Sequence, residues 1–202
     1  MNRRLAALSL LAASAGFAAA QANFVYGLSQ NATSKVEIVH VNTATGAQTN
    51  FADLGNISGN INGLASVLGT ATFYFASDNR LYRYDHAAAP GSRLTQFGGV
   101  LAGTAPGNAA WYDGSYYYVN NNTRELRKAT PSGPSTFVDT LVKQFSSNLS
   151  GFGDITFNTT STNPGDGTLY MSSGQGLLRY KLGDANFTTI SPGTPAMQLG
   201  FA

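Results

Sequence analysis

Residues 108 to 128 read NAAWYDGSYYYVNNNTRELRK, and this stretch decides the fold. Asn108-Ala109-Ala110-Trp111 is a short apolar run, and Asp113-Gly114 is the dipeptide that most readily takes positive φ at both turn positions. Tyr116-Tyr117-Tyr118-Val119 follows as a β-forming aromatic run, whose side chains must alternate between the two faces of a sheet. Asn120-Asn121-Asn122 breaks that run, and Leu126-Arg127-Lys128 starts the next. Ser135-Thr136-Phe137-Val138 adds a fourth segment after another turn, so the stretch predicts a four-stranded antiparallel meander.

The same plan recurs along the chain. Phe24-Val25-Tyr26 leads to Ile38-Val39-His40-Val41 and then to Thr49-Asn50-Phe51. Phe73-Tyr74-Phe75 leads to Leu81-Tyr82-Arg83-Tyr84 and to Leu94-Thr95-Gln96-Phe97; Leu169-Tyr170-Met171 leads to Leu177-Leu178-Arg179-Tyr180 and to Phe187-Thr188-Thr189-Ile190. The units start at residues 24, 73, 116 and 169, spacings that match one propeller blade each. A short inner strand precedes three of them: Gly63 to Ser66, Asn108 to Trp111, and Asp154 to Phe157. Tight turns are expected after each, at Gly69-Thr70, Asp113-Gly114 and Asp166-Gly167. The first unit lacks such a strand, and Met197 to Ala202 has the character to supply it. The expectation is an all-β fold: a β-propeller of four blades with four antiparallel strands each, closed by the C-terminal strand pairing in the first blade. Membership of a larger ring is the alternative. Closure would remove edges that otherwise invite aggregation.

Leu81-Tyr82-Arg83-Tyr84-Asp85, together with Ile38-Val39-His40-Val41-Asn42 and Thr45-Gly46, resembles the blade repeat of secreted bacterial propellers of the YVTN and NHL type. The resemblance spans nearly all of the chain after its first 22 residues. It implies the fold and a binding role, and it brings no catalytic residues with it.

Residues 1–22 read as a secretory signal peptide, and residues 23–202 as the single propeller domain. Arg3 and Arg4 form a basic start, Leu5 to Ala20 an apolar run, and Ala20-Gln21-Ala22 a cleavage site. The pair of arginines is not followed by the bulky residues of a twin-arginine signal, so ordinary export to the periplasm or beyond the cell is expected. The formal charge of +2 is carried entirely by this segment, because the remainder has as many acids as bases. A neutral domain gives nucleic acid no electrostatic foothold. Gly, Thr, Ser and Asn supply well over a third of the chain, which is the composition of a turn-rich exported β protein. The absence of cysteine excludes disulfides, thiolate metal sites and a cysteine nucleophile. No long apolar run after the signal would span a membrane as a helix. Six Asn-x-Ser/Thr sequons occur, which a bacterial periplasm would leave unmodified.

Side chains that could carry chemistry are few. The two histidines, His40 and His86, fall in or just after outer-blade strands, away from the axis where a metal or triad would assemble. Glu37 and Glu125 sit beside Lys35, Arg124 and Lys128 as cross-strand ion pairs. Arg83, Arg127 and Arg179 recur in register, with His40 in the fourth place, and are read as long side chains covering aromatic neighbours. Asp154 is the one acid in an inner strand and the one metal-ligand candidate; a single carboxylate provides no acid/base pair. No cofactor is expected, with a structural calcium the ion to consider. Loops on the ligand-facing side offer Asn31, Asp78, Asn79, Asn121, Asn122 and Gln175 for a polar partner or carbohydrate. The long interblade loops offer Leu101 and Phe145 for a protein partner if they are exposed, the alternative being that they fill the wedge between blades. The favoured function is a non-catalytic binding or scaffold module, an accessory or structural subunit of an extracytoplasmic protein assembly. A metal-assisted, lactonase-like hydrolase in the channel and a carbohydrate-binding propeller are the alternatives.

Overall fold

The computed structural model describes residues 24–103, 107–145, 153–159, 163, 165–174 and 176–192. Within them the chain forms four antiparallel meanders in sequence order. The first sheet has β1 (Phe24–Gln30), β2 (Lys35–Asn42) and β3 (Gln48–Asn56). The second has β4 (Ile61–Ser66), β5 (Thr72–Ser77), β6 (Arg80–Asp85) and β7 (Leu94–Gln96). The third has β8 (Ala109–Tyr112), β9 (Ser115–Asn120), β10 (Glu125–Gly133) and β11 (Thr136–Gln144), and the fourth β12 (Ile155–Phe157), β13 (Thr168–Ser173), β14 (Gly176–Lys181) and β15 (Thr188–Pro192). A single 3₁₀ turn, Pro90–Ser92, is the only helical element among the described residues. None of these is a helix long and apolar enough to cross a membrane.

The registers superimpose the four units. Tyr26 pairs with His40, Tyr74 with Arg83, Tyr118 with Arg127 and Tyr170 with Arg179. The three recurring arginines and His40 therefore each stand opposite a tyrosine at the same place in their sheets. On the inner side Ala65, Ala109 and Thr156 complete the row in the second to fourth sheets.

Packing follows from strand alternation, and each wedge between consecutive sheets holds its own apolar cluster. Phe73 and Phe75 of β5 face Val36, Ile38 and Leu54 of the first sheet. Tyr74 and Ala76, one residue out of phase, face the third sheet, where they meet Tyr116 and Tyr118. Tyr117 and Val119 leave the other face of β9 and meet Ile155, Leu169 and Met171 of the fourth sheet. All three rings of the tyrosine run are buried, two in one wedge and one in the next. β1 packs beside β4, β4 beside β8, and β8 beside β12, so the inner strands gather about a common axis. This is the propeller-like arrangement expected from the repeats. Residues 197–202, expected to close the ring, and residues 1–22, expected to be a signal peptide, lie outside the described residues.

Two local expectations separate here. Asp113 (φ 43°) and Gly114 (φ 72°) make the two-residue turn between β8 and β9 that the sequence called for. Asp166-Gly167 does not close a tight hairpin. β12 ends at Phe157 and β13 begins at Thr168, so a long loop joins them and Asp166 stands at its far end. There its Oδ1 accepts the Thr168 amide at 3.1 Å and its Oδ2 meets Lys181 Nζ at 3.2 Å; hydrogen bonding from the Thr168 side chain first, and then from Lys181, lowers its carboxyl to about 2.

Candidate functional site

Three regions collect the candidate residues: the loop side of the blades, the axis, and the outer edge of the third sheet. On the loop side, hairpin ends are stitched to the connections between blades. Ser77, buried at the end of β5, donates its hydroxyl to Ser58 O at 2.5 Å; Asn120, at the end of β9, donates to Ala102 O at 3.1 Å. Gln30 Nε2 at the end of β1 reaches Ile57 O and Gly59 O. These bonds satisfy the carbonyls of irregular backbone, which would otherwise be lost to burial.

The amide-rich loops take part in this stitching. Asn31 Oδ1 accepts the amides of Thr33 and Lys35 and the Thr33 hydroxyl, at 2.9, 3.0 and 2.7 Å. Asp78, at φ 48°, accepts the Asn60 amide at 3.0 Å, and the Asn79 carbonyl takes the Leu101 amide at 2.8 Å. Asn121 and Asn122 are exposed at the β9–β10 turn, whose Asn122 amide is held by Asn120 Oδ1. Gln175 lies outside the described residues. Leu101 and Phe145, read as protein contacts, correct to core residues: they are 1% and 4% exposed, inside the second–third and third–fourth wedges. Apolar loop side chains have a better place than solvent when the loop passes over the open end of a wedge.

His40 lies flat against Phe24, with ring centroids 4.6 Å apart, and His86 packs against Phe51 and bonds the Tyr84 hydroxyl at 3.0 Å. Among the described residues no three His, Asp or Glu side chains gather as a metal donor set. Lys35 pairs with Glu37 and Asp53 on the surface, and Arg127 pairs with Glu125.

One polar cluster had no signal in the local sequence. Tyr118 donates its hydroxyl to Asp139 Oδ2 at 2.7 Å, Arg127 Nε donates to Asp139 Oδ1 at 3.1 Å, and the Ala102 amide donates to both Asp139 Oδ2 and the Tyr118 hydroxyl oxygen. Burial and the adjacent carboxylate push the Tyr118 hydroxyl far above its ordinary pKa, so it serves as a permanent donor. This network ties β9, β10, β11 and the incoming interblade connection together.

The axial region is a cavity of about 180 Å³ where β1, β4, β8 and the start of β12 converge. Tyr26, Trp111, Asp154 and Thr156 are among its lining side chains. Asp154 is fixed at the mouth of β12: its amide donates to Ser172 Oγ at 2.9 Å, its carbonyl accepts the Ser172 amide at 3.0 Å, and its Oδ1 accepts the Ile155 amide at 2.9 Å. Burial raises its carboxyl to about 6, against which the Ile155 amide works in the opposite direction. Next to it, the buried Asn108 donates its side-chain amide to Gly153 O and accepts the Val119 amide at 3.2 Å.

The outer edge of the third sheet is β11, hydrogen-bonded to β10 along one side. Its start is bridged in parallel to Gly98, and Val138 and Leu141 stand 54% and 51% exposed along it, with Val100 of the bridging connection exposed too.

No family model matches the chain, and no curated protein matches it. Among solved structures, it is similar to a chain in the crystal structure of a nidogen/laminin complex, with a TM-score of 0.61 at 15% identity over 86% of this chain. The chain spans 63% of the length of that relative. PorZ, a surface component of the type-IX secretion system of Porphyromonas gingivalis, matches with a TM-score of 0.45 at 10% identity, over 89% of this chain and 25% of its own. A luciferin-regenerating enzyme matches with a TM-score of 0.41 at 9% identity, over 87% of this chain and 78% of its own. The first likeness establishes the fold: the chain is a propeller-like all-β protein of four antiparallel sheets.

Proposed function

We propose that the protein is an exported, non-catalytic β-propeller of the YVTN/NHL type, acting as a binding or scaffold module in a protein assembly outside the cytoplasm. Its ring is completed by residues 197–202 adding an inner strand to β1. The observation that carries the binding role is the apolar edge of β11. Edge strands are usually guarded by charge, bulges or cover; this nine-residue strand has bulges in its pairing with β10 and one lysine, Lys143, and still presents Val138 on one face and Leu141 on the other to solvent. The loop side supports the same reading from the opposite direction, since the side-chain oxygens of Asn31 and Asp78 are engaged in backbone turns and stitching.

A photo-crosslinking residue at position 138 tests this in the native envelope, with position 184 as a control on the exposed turn before β15. One protein adduct specific to position 138, lost in a Val138→Lys/Leu141→Lys variant that keeps the wild-type unfolding midpoint, is expected. Equal labelling from both positions would sink the proposal.

A further inference from the structure

The axial cavity holds a half-buried carboxylate without a counter-charge, and no lysine or arginine is among its described lining residues. Asp154 Oδ1 is taken by the Ile155 amide, while Oδ2 has no hydrogen-bond or ion-pair partner among the described residues. A carboxylate withdrawn from water favours a cation beside it, because burial without a partner costs free energy that an ion pair returns. The same cavity is lined by two aromatic side chains, Tyr26, which packs on Phe51 and Phe73, and Trp111, which stacks one face on Tyr74, and by the hydroxyl residues Ser66 and Thr156; an aromatic face left toward the cavity attracts positive charge, and a hydroxyl oxygen can accept from it. The volume, about 180 Å³, is close to that of the apolar cavity of roughly 150 Å³ that admits benzene, so a guest of about six to eight heavy atoms fits.

We propose that the axial cavity binds a small organic ammonium ion, its charged group on Asp154 Oδ2 and its hydrocarbon part against Tyr26 and Trp111. A divalent metal would need several oxygen ligands around it, whereas an ammonium needs one carboxylate and a few acceptors. The raised pKa of Asp154 agrees with this arrangement, since a bound cation would bring it back down. The site does not involve the β11 edge; it adjoins the channel-side edge of β1, where the closing strand of the proposed function would lie, and titration of the full-length chain tests it with that segment present.

Trp111 is the only tryptophan in the chain and lines the cavity, so its fluorescence reports occupancy directly. Purified full-length protein is titrated at pH 8 with benzylammonium chloride, with its neutral isostere benzyl alcohol, and with calcium chloride. Saturable change with benzylammonium, binding at least about tenfold weaker for benzyl alcohol and for Asp154→Asn, and loss of affinity as the pH falls through about 6 are expected. Asp154 and Tyr26 are the titratable side chains among the described lining residues, and they come from the start of β12 and from β1. Equal response to the alcohol, an unchanged affinity in Asp154→Asn, a response to calcium alone, or no saturable change at millimolar benzylammonium would each overturn the proposal. The comparison of amine with alcohol on the wild-type protein stands even if Asp154→Asn fails to fold.

Discussion

At the scale of single residues, two acids make opposite contributions. Asp154 has its carboxyl raised from 3.8 to about 6 by burial, so the folded state holds its proton more tightly than the unfolded chain does. Its stabilising contribution is complete below about pH 4 and is lost as the pH rises through 6, amounting to on the order of 1–2 kcal/mol after allowance for the solvent it still touches. Asp154→Asn should therefore be more stable than the wild type at pH 8 and equal to it at pH 4, as read from urea unfolding at both values. Asp139 matters through its partners. Replacing it with alanine leaves the Tyr118 hydroxyl without its acceptor and Arg127 with Glu125 alone, in a pair whose side chains are less than a fifth exposed. A loss of about 2–3 kcal/mol is expected in the same assay. Lys35→Ala, which removes the surface pairs to Glu37 and Asp53, should leave the midpoint unmoved within error. Asp154 was legible as an inner-strand acid, because strand alternation and repeat spacing place it without further information. Asp139 was not, since its partners Tyr118 and Ala102 are brought to it by pairing across β10 and by an interblade connection that no local pattern encodes.

At the scale of elements, the strands were read from their aromatic and β-branched runs, and the turns divide into those the dipeptide dictates and those it does not. Asp113-Gly114 joins two strands that end and begin next to it, so its positive φ values complete the hairpin. Asp166-Gly167 carries the same two letters, yet the strand before it stops at Phe157, and a turn signal cannot show how far away its partner lies. Glycine is needed for two different reasons. A Cβ at Gly114 would meet nothing within 4 Å, so Gly114→Ala should cost only the strain of φ 72°, about 1 kcal/mol. A Cβ at Gly176 would run into the Ser191 carbonyl of β15, so Gly176→Ala should cost clearly more and loosen the outer strand. Amide exchange over β14 and β15 in the two variants distinguishes them: only Gly176→Ala should speed exchange there. Leu101 and Phe145 show the same limit at the level of connections. Their apolar character was plain, but whether a loop carries such residues to solvent or into a wedge depends on where the neighbouring sheet stands.

For the whole molecule, the proposal that the ring closes turns on one strand edge. β1 is hydrogen-bonded to β2 on one side, and its channel-side edge is where residues 197–202 would add a strand. If they do, amides on both edges of Phe24–Gln30 exchange slowly in the full chain, and deletion of residues 197–202 releases the channel-side set alone. Fast exchange along that edge in the intact protein would refute closure. The three wedges have a further consequence, for the order in which the chain becomes structured. Every sheet is a meander of consecutive strands, so its hydrogen bonds form between near neighbours, but its apolar side chains have no cover until the following sheet arrives. The smallest unit able to bury a core is thus a pair of successive blades, and each later blade adds onto a template already in place. A polypeptide released from its N-terminus can acquire stability stepwise while its remainder is still being delivered, and if the proposed ring closes, the last surface to be covered is the one exposed by the first blade.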